Sequence, residues 1–229
     1  MATGMNVCME RSSLRWPRVA LLAALVATAL AGRTAGAQEP PLDADDLGRS
    51  RFGRMHMLLE KTFLNVDVLT VEIRFAPDTA EALRALAERQ APGAELTERI
   101  AARAFRAEDA YVEIRFKRDV GLDEFVAAVR KNLERARRAN MIDEESYQSV
   151  SRNLPRWFAF LEKDGIKSGD RLLYRARPSS MRTVFVDRDR RVRLDQTDSG
   201  TAPRLALLGG YFAPGSDFRN GLVASLFHD

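Results

Sequence analysis

The side chains best suited to chemistry are few. His56 and His228 stand far apart in the sequence, and the one thiol is Cys8. A lone cysteine excludes a cysteine-based zinc site, and two distant histidines leave little for a histidine-based one. No Gly-x-Ser-x-Gly elbow, phosphate loop, dinucleotide fingerprint or His-Glu-x-x-His is present. No catalytic residue, metal site or cofactor is therefore assigned, and both histidines are read as structural or exposed.

Three clusters remain. Arg130, Lys131, Arg135, Arg137 and Arg138 have the charge for an anion or a nucleic acid. Glu134 and then Asp143, Glu144 and Glu145 temper them, so the reading is a solvated helix face with no nucleic-acid partner. Trp157, Phe158 and Phe160 are either core or the wall of a ligand pocket. Neighbouring aromatics on a helix point different ways, so at least one must reach the core. Asp195-Gln196-Thr197-Asp198 reads as a polar turn following a strand.

The elements that position these residues follow from periodicity. Leu64, Val66 and Val68 alternate in one phase, and Leu69, Val71, Ile73 and Phe75 in the other. A phase change inside one extended stretch predicts a bulge, or a strand that changes which face it buries, and 55–59 and 62–75 are read as a hairpin followed by a long strand. Asp78 is read as the cap of a helix over 79–90, and Thr97 as the cap of another over 98–106. Residues 110–118 alternate Val112, Ile114 and Phe116 with Glu113, Arg115 and Lys117, which predicts a half-buried antiparallel strand. Apolar residues at helical spacing from Leu122 to Ala136 predict a helix over 122–139. The next helix starts near Asp143 and meets Pro155, which must break or kink it. Three short strands, 171–177, 181–187 and 191–196, form a meander. Two helical pieces close the chain, 203–211 and 217–227, with Ser216 a cap for the second. Strands, helices, strands and helices in that order predict α+β: a large antiparallel sheet covered by a layer of helices.

Composition sharpens this. The chain has 229 residues with a formal charge of +4. Arg11, Arg15 and Arg18 precede an apolar run over 19–32, and small residues follow at 35–37. The run is shorter than the roughly 20 residues a membrane span needs, so 1–37 is read as a cleaved signal peptide. Its removal takes away four arginines, one glutamate and the only cysteine, leaving 32 basic and 31 acidic residues. The expected product is periplasmic or secreted, with no stable membrane span after cleavage. Residues 38–53 are read as a flexible mature N-terminus and 54–229 as the folded domain.

Three stretches together resemble the bacterial chalcone isomerase-like proteins. They are 61–75 (KTFLNVDVLTVEIRF), 119–174 (DVGLDEFVAAVRKNLERA, then LPRWFAFLEKDGIKSGDRLLY) and 194–227 (LDQTD, then LLGGYFAPGSDFRNGLVASLF). The resemblance implies an open-faced sandwich of sheet and helices with a pocket between them. Plant members of the family close a flavanone ring there, and others bind fatty acids. The plant enzymes use an Arg and a Thr from the first hairpin, a Tyr and an Asn from the helices, and a late Ser or Thr. Matched here, these fall at Arg54, Asn65, Asn132 and Thr197. The helix around Asp123-Glu124-Phe125 has no tyrosine to match.

The resemblance thus points to a non-catalytic protein that binds a small apolar, aromatic or acyl ligand through Arg54, Asn65, Asn132 and Thr197. The alternatives are an intramolecular lyase or isomerase on an unknown substrate, and a structural or interaction module of the cell envelope.

Overall fold

Alternation builds the sheet. In the computed structural model, which describes residues 42, 44–61 and 66–228, six strands run β1 (Arg54–Lys61), β2 (Val66–Phe75), β3 (Ala110–Phe116), β4 (Arg171–Arg177), β5 (Ser180–Val186) and β6 (Val192–Ser199). They lie in the order β1-β2-β3-β4-β5-β6, every neighbour antiparallel. The register shifts between β1 and β2, where Leu59 faces Leu69 but Glu60 faces Asp67. Val68 is the extra residue, so the bulge sits where the hydrophobic phase changes.

Six helices complete the fold: α1 (Pro77–Arg89), α2 (Ala94–Phe105), α3 (Leu122–Arg138), α4 (Glu144–Trp157), α5 (Ala202–Phe212) and α6 (Arg219–Ala224). They cover one sheet face. Met55, Ile73, Phe75, Val112, Leu172 and Phe185 from the strands share one buried core with Leu83, Ile100, Leu208 and Leu222 from the helices. Full burial of each such side chain contributes about 1.5–3 kcal/mol. The result is the α+β class expected, an open antiparallel sheet with a helical layer.

Three predicted caps differ. Phe218 is the cap position of α6, and Ser216 instead donates to the Gly210 carbonyl at 2.8 Å. Pro77 opens α1, and Asp78 makes no cap hydrogen bond because it already lies inside the helix. Thr97 lies one turn inside α2, where its hydroxyl donates to the Gly93 carbonyl at 3.0 Å. Asp143 does cap α4, accepting from the Ser146 N–H at 2.7 Å.

Pro155 ends α4 within a turn rather than breaking it. A proline there has no N–H for the carbonyl of Ser151. Arg130 on α3 fills that vacancy, donating Nε and Nη2 to the Ser151 oxygen at 3.3 and 2.9 Å. The rest of the basic cluster is held locally: Arg137 and Arg138 bond Glu134, and Arg135 bonds Asn132 and reaches Asp217.

The opposite sheet face is not the solvent face expected for β3. Glu113 is only 5% exposed. Arg115 and Arg171 contact its carboxylate at 2.6 and 2.9 Å, and Tyr111 donates to it at 3.3 Å. Ala44 and Leu47 are also buried on this face, against Tyr111, Leu173, Val184 and Val186. Asp46 pairs with Arg175 at 3.1 Å. The described part of 38–53 thus lies along the sheet, held by Leu42, Ala44 and Leu47, by the Asp46 carboxylate and by the Gly48 N–H, which donates to the Phe75 carbonyl at 3.1 Å.

Candidate ligand-binding cavity

A cavity of about 170 Å³ opens between the sheet and α3, α4 and α5. Its floor follows from strand pairing. Tyr174 on β4 faces Thr183 on β5, which faces Gln196 on β6. One row away, Met181 faces Asp198, and Phe185 faces Leu194. Side chains two residues apart share a face, so Leu194, Gln196 and Asp198 all look into the cavity. Its roof is Phe125, Val129 and Asn132 of α3, Leu154 and Trp157 of α4, and Ala206, Gly210 and Tyr211 of α5.

The wall is mostly apolar with a few hydroxyls set into it. Thr183 and Tyr211 are 7% and 6% exposed, and neither hydroxyl bonds another described residue. The Tyr174 hydroxyl is likewise without a partner among the described residues. Burial pushes the Tyr174 phenol above the ordinary tyrosine range. Burial also raises Tyr211 well above that range, with Tyr174 adding to it. Both are therefore neutral donors at physiological pH, not phenolates. Gln196 Nε2 donates to Asp198 Oδ1 at 2.7 Å. The wall contains no lysine, arginine or histidine among the described residues.

A second pocket continues the first toward solvent. The two share Val150, Trp157, Asp198 and Pro203. The outer one adds Ser146, Ser149, Asn153 and Arg156 from α4, and Ser199 and Ala202 beyond. Ser149, Arg156 and Ser199 are exposed, so this is the mouth.

Of the four residues singled out in the sequence, Asn132 lines the cavity. Thr197 does not. It faces Arg182 on the opposite sheet face, because a strand inverts its side chains at each residue. Asp195-Gln196-Thr197-Asp198 is not a turn but part of β6, which runs on to Ser199. Arg54 is also on the opposite face, where it pairs with Glu72. Asn65 lies outside the described residues, as does the whole of 1–37. The aromatic cluster divides: Phe158 is buried, Trp157 and Phe160 are half-buried, and Trp157 and Phe158 both line the cavity. Tyr174, Thr183, Tyr211 and Arg156 were not foreseen. Tyr174 carried one signal, a hydroxyl in the same alternation phase as Leu172 and Ala176.

No protein-family model matches the chain, and no curated protein matches it. Among solved structures it is similar to a fatty-acid binding protein of Arabidopsis thaliana, at 12% identity and a TM-score of 0.51, over 83% of this chain and 94% of the plant protein. At that identity the likeness establishes the fold, which is the chalcone isomerase fold.

Proposed function

We propose that the protein is an exported, non-catalytic member of the bacterial chalcone isomerase-like proteins that holds a small apolar ligand, such as a fatty acid, between sheet and helices. The cavity wall carries this reading: apolar side chains from both layers enclose a space of about 170 Å³. That is room for on the order of ten water-sized or methylene-sized groups. Ten buried methylenes contribute roughly 8 kcal/mol before the cost of ordering the ligand. The fatty-acid binding of the plant protein with the same fold supports the same direction. Export rests on the charged, apolar and small-residue pattern of 1–37.

The test uses Trp157, which lines the cavity and is one of two tryptophans. Medium-chain fatty acids should change its fluorescence saturably, and protein purified natively should release an apolar molecule in mass spectrometry. A Cβ on Gly210 meets nothing nearer than Asn132 Cβ at 3.8 Å. Gly210→Leu therefore builds into the cavity and should abolish the response while the protein stays folded. A response unchanged by Gly210→Leu overturns the cavity as the site.

One observation favours a second reading, an intramolecular lyase or isomerase. Tyr174, Thr183 and Tyr211 set neutral donors around one space, as a developing enolate oxygen requires. Asp198 would then handle the proton. Turnover of an aryl enone that Asp198→Asn abolishes carries that reading, and absence of turnover removes it.

A further inference from the structure

We infer that the ligand enters tail first and leaves an anionic head group, a carboxylate in the simplest case, at the mouth beside Arg156. The inference rests on the apolar-ligand reading above and adds the orientation and charge of the ligand. A carboxylate inside the cavity would find no cation, since no lysine, arginine or histidine lines it among the described residues. Burying an unpaired carboxylate costs several kcal/mol even after relaxation. Asp198 is part of both the cavity and the mouth, so an anion moving inward meets a like charge.

The mouth, which Asp198 also lines, adds a cation. Ser146, Ser149, Asn153 and Arg156 recur at steps of three and four along α4, so they share one helix face and line the outer pocket. Arg156 brings the only cation of that pocket, and its guanidinium has no ion pair or hydrogen bond among the described residues. Its neighbours contrast with it: Arg130 is spent on the Ser151 carbonyl and Arg152 on the Gln148 carbonyl. An anion at Arg156 gains a charge-assisted hydrogen bond, with the Asn153 amide and the serine hydroxyls as further donors. Trp157, the next residue, lines both pockets and places the acyl chain against the same turn of helix.

The experiment compares dodecanoate with 1-dodecanol, which have the same chain and different heads. Binding to the purified protein is followed by Trp157 fluorescence in wild type, Arg156→Gln and Arg156→Glu. The expected result is a loss of dodecanoate affinity of about tenfold in Arg156→Gln and more in Arg156→Glu. Dodecanol affinity should stay level. Added salt should weaken dodecanoate alone, because an exposed charge pair is screened. Dodecanoate binding that ignores both substitutions overturns the inference. Dodecanol binding without dodecanoate binding also overturns it and leaves the apolar cavity standing. Binding of neither overturns the cavity reading with it.

Discussion

The two faces of the sheet are made by alternate residues of the same strands, yet they handle polar groups in opposite ways. On the back face most polar side chains find one another, Asp109 Oδ1 being a buried exception. Glu113 takes Arg115, Arg171 and Tyr111; Arg175 takes Asp46 and Asp109; Arg182 grips Asp195 with two bonds of 2.8 and 2.7 Å. On the helix-facing side Tyr174, Thr183 and Tyr211 keep their hydroxyls to themselves. A buried polar group left unpaired costs about 1–3 kcal/mol. The back face is therefore organised for stability. The front face pairs Gln196 with Asp198 and keeps three hydroxyls unpaired where a ligand can reach them.

Substitutions on the two faces should separate these roles. The largest effect is expected at Glu113. Glu113→Ala leaves three donors without their acceptor, and the partial exposure of Arg115 and Arg171 limits the damage to about 2–3 kcal/mol. Thermal denaturation should register a fall of roughly 5–10 °C, with fatty-acid affinity unchanged. A loss of affinity instead would merge the two faces into one system.

Next comes pH. Burial would raise the Glu72 carboxyl, but hydrogen bonds from Arg74 and Arg54 outweigh it and hold it below its usual 4.5. Hydrogen bonding from Arg175 likewise lowers Asp46 below 3.8. Carboxyls lowered by folding stabilise the protein at neutral pH and lose that contribution as the pH falls below those values. At the other end, burial and then Glu113 push the Tyr111 phenol up to about 12. Its contribution is complete below pH 10 and is lost as the pH climbs toward 12. Urea midpoints across this range should decline at both ends, and Glu72→Gln should flatten the acid limb.

The smallest effect is expected on the front face. Thr183→Val removes a buried hydroxyl that has no partner and nearly conserves volume. The unfolding free energy from urea titration should stay level or rise by up to about 1 kcal/mol. A loss would mean that this hydroxyl is already engaged within the fold.

Most of the fold was legible because its signals are periodic. The phase change across Val68 and Leu69 placed the bulge, and the runs at 171–177 and 181–187 placed the meander almost to the residue. The caps were less legible. Asp78 and Thr97 are good capping residues by type, but Pro77 and Gly93 started their helices earlier. The site was harder still. Ending the last strand at 196 turned Asp195 through Asp198 into a loop, and only a strand running to Ser199 sends Gln196 and Asp198 inward and Thr197 outward. Tyr211 and Arg156 carry no periodic mark that separates a cavity wall from a core or a surface. They become a site only when α5 and α4 converge over the sheet.

The bond from Arg130 to the Ser151 carbonyl also bears on time. Together with Arg137 and Glu144, 3.1 Å apart, it ties α4 to α3 at two places. No side-chain hydrogen bond or ion pair joins α4 to β6 or α5 among the described residues. The seam between α4 and the β6–α5 corner is thus held by apolar contact alone, and it is the seam that flanks the mouth. Breathing there needs no polar bond to break. Proline, by freeing one carbonyl for Arg130, fastens α4 to α3, and α3 in turn is fastened beyond α5 through Arg135 and Asp217. How long a ligand stays should then depend on the apolar seam as well as on what grips its head.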